Sequence, residues 1–91
     1  MKVTADTITD EQIRELREPV SEYGEGLTIG DEYYSAAVAL NLCDEALGDF
    51  DYGDRFTHLP MAQALQFVES RRLWSRARCA EIWNARHGGE P

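Results

Sequence analysis

Apolar residues recur at helical spacing in three stretches of the chain. The first is Ile13, Leu16 and Val20, opened by Thr9-Asp10-Glu11-Gln12. Thr followed three residues on by Gln has the form of a capping box, and Asp10 and Glu11 then lie in the first turn, where the helix dipole favours them. Pro19 disfavours helical backbone at Glu18, so this helix is expected to end there. Residues 22–30 carry Gly24, Gly26 and Gly30 and read as a loop, with a short extended piece at Leu27-Thr28-Ile29.

Asp31 makes a good N-cap for a second helix over 32–47, with Gly48 as its stop. Ala36, Leu40, Cys43, Leu47 and Phe50 share one face of it. Tyr33, Ala37, Val38 and Leu42 widen that face, which predicts a central helix packed on more than one side. Residues 49–54 form a second loop. Thr57 is a plausible cap, and Pro60 suits the first turn of a helix. No Gly or Pro follows until Gly88-Gly89 closes the run. Met61, Leu65 and Val68 mark one face early; Leu73, Ala77, Ala80 and Trp83 mark another later. The change near residues 70–72 favours a break into two helices, the alternative being one long helix with different neighbours at each end.

The expected fold is therefore all-α: one domain over 1–91, a compact bundle of three or four helices, with residues 1–7 a weakly ordered lead-in. Leu40, Cys43, Leu47, Leu65, Val68, Ala80 and Trp83 are the expected core positions.

A chain of 91 residues makes one domain. At this size about 60–65% of the unfolded surface is buried, which leaves little room for an enclosed active-site cavity. No apolar run approaches the ~20 residues that cross a bilayer, and Met1-Lys2-Val3-Thr4-Ala5-Asp6 has no apolar signal-like segment. A cytoplasmic location is expected. Cys43 and Cys79 each fall in an apolar helical pattern, outside any CxxC or Cys/His pair. They read as small buried hydrophobes, with a disulfide or redox pair as the alternative.

Candidate chemistry is sparse. Asp49, Asp51 and Asp54 invite a calcium site, but glycine falls at the fifth loop position instead of the sixth, and Pro60 stands where an EF-hand needs Glu. A solvated acidic loop is the better reading. His58 and His87 have no metal-spaced companions, and His87 complements a helix C-terminus. Nucleophile-elbow, Walker and dinucleotide-binding patterns are missing from the sequence. No catalytic residue, cofactor or metal is expected, and the chain reads as a binding protein.

Charge changes the picture most. Residues 1–54 hold 14 carboxylates against Lys2, Arg14 and Arg17; residues 55–91 hold 6 Arg against 3 Glu. From Glu18 to Asp54 there are 10 carboxylates and no basic residue. That asymmetry points to an electrostatic partner with a basic surface and away from direct nucleic-acid or membrane binding. Asp44, Glu45 and Asp49 crowd the C-terminal end of the second helix, where the dipole disfavours negative charge. They are neutralised by Arg71, Arg72, Arg76 or Arg78, or they face the partner. Asp31 and Glu32 cap a helix or join that surface with Asp51 and Asp54. Tyr33, Tyr34 and Tyr52, set among these acids, are half-buried core residues or interface anchors.

Ile8-Thr-Asp-Glu-Gln-Ile-Arg-Glu-Leu-Arg17, Leu42-Cys-Asp-Glu-Ala-Leu-Gly48 and Ala77-Arg-Cys-Ala-Glu-Ile-Trp-Asn-Ala-Arg86 together resemble a family of small phage and prophage proteins. The likeness covers about a third of the chain and carries over no catalytic or binding residue. Two insertions, roughly 19–34 and 49–75, depart from the family pattern and hold most of the excess acid, together with Phe67 and Trp74. Small acidic phage proteins include anti-CRISPR proteins, which block the nucleic-acid surfaces of bacterial defence complexes. By that analogy the chain is expected to inhibit such a complex by occluding a basic nucleic-acid-binding surface. The alternative is a phage assembly or regulatory protein that binds through an apolar helical face.

Overall fold

In the computed structural model, which describes residues 2–29 and 31–87, three helices and one small hairpin follow each other along the chain. They are α1 (Asp10–Tyr23), β1 (Leu27–Ile29), β2 (Glu32–Tyr34), α2 (Ala36–Leu47) and α3 (Met61–Arg86). The fold is mostly helical, with a two-stranded sheet added to the expected bundle.

The N-terminus of α1 forms as its sequence predicts. The Gln12 backbone N–H donates to Thr9 Oγ1 at 3.1 Å, and the Thr9 N–H donates back to Gln12 Oε1 at 2.9 Å. The helix does not stop at Pro19, however, and runs on to Tyr23 with the proline inside it. An interior proline costs about 3 kcal/mol. Continuing the helix buries Val20 on the core side beside Ile13 and Leu16, and lets the Gly24 N–H close the end on the Val20 carbonyl. Burial of a valine side chain is worth about 1.5–3 kcal/mol, which offsets much of the proline penalty.

The expected start of the second helix also moves. Residues 32–34 are strand, and α2 begins after Ser35, so Asp31 and Glu32 are not its caps. Tyr33 and Tyr34 suit a pleated strand better than a first helical turn. They pair antiparallel with Thr28 and Leu27, and Leu27 is fully buried. The close approach needs Gly26: a Cβ there would lie 2.1 Å from the Tyr34 carbonyl oxygen. Gly30, in the hairpin connection, lies outside the described residues, as does the Gly88-Gly89 stop.

α2 lies between α1 and α3 and packs on both, the central place its broad apolar surface predicts. Ala39, Leu42, Cys43 and Ala46 are buried along it. Gly48 ends it in the left-handed conformation at φ 82°, donating to the carbonyls of Asp44 and Glu45. α3 is one helix of 26 residues with no break at 70–72, and Pro60 stands at its N-cap in place of Thr57. The expected change of face is not followed by burial: Leu73 is exposed, and the residues buried later in α3 lie mainly on the face that Met61 and Leu65 share. Ser75, Cys79, Ala80 and Ile82 are buried against the body, whereas Met61 is 78% and Leu65 63% exposed. Leu65 is therefore not a core position. Of the other expected core residues, Cys43 and Ala80 are buried, and Leu40, Leu47, Val68 and Trp83 are half-buried.

The lead-in is tied down along α3. The Val3 N–H donates to Asn84 Oδ1 and Asn84 Nδ2 donates to the Val3 carbonyl, both at 2.9 Å. Arg76 donates to the Ile8 carbonyl, and Ile8 is 2% exposed. The sequence pattern misses this because one apolar residue in a non-periodic segment carries no period.

Candidate interaction surfaces

The acidic positions singled out in the sequence divide into two sets. Glu45 is 9% exposed and is bound on every side. Ser75 Oγ donates to its Oε1 at 2.9 Å, Arg71 Nη2 donates to the same oxygen at 3.1 Å, and Tyr52 Oη donates to Oε2 at 3.0 Å. Burial pushes the Glu45 carboxyl up, but the bonds from Ser75, Arg71 and Tyr52 outweigh it and hold its pKa below the ordinary value. Tyr52 is shifted upward, by burial first and then by its bond to this carboxylate. Glu45 thus joins α2, the 48–60 loop and α3 in one network.

Asp44 faces the other way and takes the Arg17 Nε–H at 2.8 Å, across to α1. Glu32 binds Arg78 Nη2 at 2.8 Å and the Tyr34 hydroxyl at 3.1 Å. The arginines of α3 therefore serve several carboxylates: Arg71 holds Glu45, Arg72 holds Glu69, Arg76 holds Asp10, and Arg78 holds Glu32 and Glu81. The dipole conflict at the end of α2 is relieved internally for Asp44 and Glu45.

The second set has no such partner. Glu18, Glu22, Glu25, Asp31, Asp49, Asp51 and Asp54 are all exposed, and none forms an ion pair among the described residues. Asp51 accepts the Gly53 backbone N–H at 2.8 Å, which shapes the loop and leaves its charge uncompensated. On α1, Glu11, Glu15, Glu18 and Glu22 stand at i, i+4, i+7 and i+11, a row about 16 Å long. Arg14 and Arg17 flank this row, and Asp49 lies next to them. Tyr33 is 67% exposed beside Asp31 and Glu32, whereas Tyr34 and Tyr52 are half-buried and hydrogen-bonded.

Between α2, the 48–60 loop and the middle of α3 lies a surface the sequence reading did not identify. Aromatic rings run along it: Phe50 to Tyr52 at 4.7 Å between centroids, Tyr52 to Phe56 at 5.2 Å, and Phe56 to Phe67 at 4.9 Å. Guanidinium groups lie over two rings of this surface, Arg55 over Phe50 at 5.6 Å and Arg71 over Trp74 at 4.5 Å. A signal was available in the sequence. Phe67, Arg71, Trp74 and Arg78 are spaced 4, 3 and 4 apart, one helix face of alternating rings and cations.

Cys43 and Cys79 are both fully buried and free, one on α2 and one on α3. The neighbouring Cys43 thiol and burial together push the Cys79 thiol well above its ordinary range. His58 is exposed in the loop, and His87 stacks on Trp83 at 3.8 Å between centroids. Among the described residues no three His, Cys, Asp or Glu side chains converge as a metal site, and no helix is long and apolar enough to cross a membrane. The chain matches no family model, no curated protein and no solved structure.

Proposed function

We propose that this protein is a non-enzymatic inhibitor of a bacterial defence complex, of the anti-CRISPR kind, that lays acidic surface over a basic nucleic-acid-binding site. The observation that carries this reading is the division of the acids. The arginines of the chain take up Glu32, Asp44 and Glu45 and leave seven carboxylates between Glu18 and Asp54 exposed without an ion pair among the described residues. Uncompensated like charges cost the fold some self-repulsion, and a cationic partner surface would relieve it. Along α1 the carboxylates stand ~5–6 Å apart at their Cβ atoms, close enough to follow a track of phosphate contacts. Glu45, Asp44 and Glu32 then have a supporting role, and contact falls to Asp31, Asp49, Asp51, Asp54 and the glutamates of α1.

The test is expression in bacteria with an active CRISPR system, challenged by a phage that the system targets. Plaque formation should be restored, and purified effector complex should lose binding of its nucleic acid in proportion to added protein. That competition should weaken steeply with ionic strength. Unimpaired interference at saturating protein would remove this reading.

A second reading has its own support in Met61 and Leu65, apolar and exposed on the face of α3 that the body covers further along. It makes the chain a phage assembly or regulatory protein that binds through this face, and such binding should persist at high salt.

A further inference from the structure

The surface between α2, the loop and α3 contains two adjoining clefts, each of about 270 Å³. Val38, Leu42, Phe50 and Trp74 form the apolar walls of the first; Tyr52, Phe56 and Phe67 form those of the second. Glu45, Arg55 and Arg71 line both, so the two guanidinium groups stand where the clefts meet.

The charges there are unequal. Glu45, the one carboxylate lining either cleft, is already committed to Arg71, Ser75 and Tyr52. Arg55 is exposed, lies over Phe50, and forms no ion pair among the described residues. Arg71 gives one N–H to Glu45 and keeps its remaining donors for another acceptor, out of the five a guanidinium carries. In a chain of net charge −8, this junction is cationic. It suits a carboxylate, which a guanidinium fork can take in two parallel hydrogen bonds.

Size selects the occupant. Each cleft is below the roughly 300–1,000 Å³ of sites that enclose a whole small ligand, and each suits one bulky side chain. Ring-lined walls with arginines also occur where single-stranded nucleic acid stacks. A polyanion, however, would have to approach a molecule whose exposed acids repel it. We propose that the paired clefts bind a peptide segment of a partner protein in which an Asp or Glu stands between two large apolar side chains. This surface is separate from the acidic row on α1, and its occupancy does not depend on the function proposed for those acids.

Selection from a displayed random-peptide library on the intact protein tests the proposal. The wild-type chain should enrich peptides with an acid flanked by Leu, Ile, Phe or Trp. A recovered peptide should shift the fluorescence of Trp74, half-exposed at the first cleft, while Trp83 stays stacked on His87 as a reference. With a dye-labelled copy of the peptide, read by its own anisotropy, Trp74→Ala should weaken binding at least about tenfold. Arg55→Glu should weaken binding at least about tenfold, and Arg55→Lys should restore part of it, with helix content by circular dichroism unchanged in all three. Replacing the acid of the peptide with its amide should have a similar effect. Enrichment of basic or acid-free peptides, equal binding by Arg55→Glu, or no enrichment above the Trp74→Ala background would overturn the assignment. So would saturable binding of a single-stranded oligonucleotide at this surface, or a Trp74 shift produced by raising protein concentration alone, which would give the clefts to a second copy.

Discussion

The two halves of α3 have similar apolar spacing but different surroundings. From Ser75 onward the helix lies against α2, β1 and the lead-in, and Cys79, Ala80 and Ile82 are buried. In the first half, Met61 and Leu65 continue the same face and remain exposed. Periodicity in a sequence measures how much a helix could bury; whether it does so depends on what the rest of the chain puts beside it. The carboxylates show a similar contrast. Glu45 and the loop aspartates are neighbours in sequence, yet Glu45 is held by three donors and Asp49, Asp51 and Asp54 face solvent.

Truncations along α3 test the first contrast and should give the largest difference. Ile82→Ala removes packed core atoms and should cost about 2–5 kcal/mol in a denaturant titration. Leu65→Ala should stay within about 0.5 kcal/mol of the parent. A large loss at Leu65 would mean that a covering partner, such as a second copy, is present in solution.

Neutralising acids tests the second contrast, with a smaller effect. Glu45→Gln weakens a buried network on which Arg71, Ser75 and Tyr52 depend, and should cost about 1–3 kcal/mol. Changing Asp49, Asp51 and Asp54 together to Asn should leave stability within about 0.5 kcal/mol, or raise it slightly as repulsion falls. Equal losses in the two variants would erase the distinction between supporting and exposed acids.

A smaller, pH-dependent effect sharpens the same comparison. The Glu45 carboxyl has a folded-state pKa below its ordinary value of 4.5, so its contribution is present above that value and is lost as pH falls through the folded one. The stability gap between wild type and Glu45→Gln should therefore be full near neutrality and should narrow on acidification below 4.5. A gap that stays constant down to acid unfolding would show that the charge of Glu45 is not what its neighbours stabilise.

Much of the architecture was legible in the sequence, because it rests on local rules. The Thr9–Gln12 capping box, the Gly48 stop, the buried Cys43 and the central place of α2 follow from spacing and cap chemistry. The extended piece at 27–29 was visible, but its pairing with Tyr33 and Tyr34 was not, since Asp31 offers a cap signal that competes with the β preference of two tyrosines. Pro19 misled for a similar reason. A local penalty was largely offset by burial of Val20, and burial depends on tertiary partners. The acidic surface was legible as charge. Its division into paired and unpaired members was not, because Arg17–Asp44 and Arg71–Glu45 link residues 27 and 26 positions apart. The aromatic-arginine surface went unread because half of it lies in a loop without any period.

The claim that the unpaired acids are contact residues is tested most directly by one variant in an inhibition assay. Glu15 and Glu18 are changed to Gln, and Asp49, Asp51 and Asp54 to Asn, while Asp44 and Glu45 are kept. This protein should melt at or slightly above the parent temperature and should lose the ability to restore plaque formation against an active CRISPR system. A variant that melts with the parent and still inhibits fully would contradict the claim.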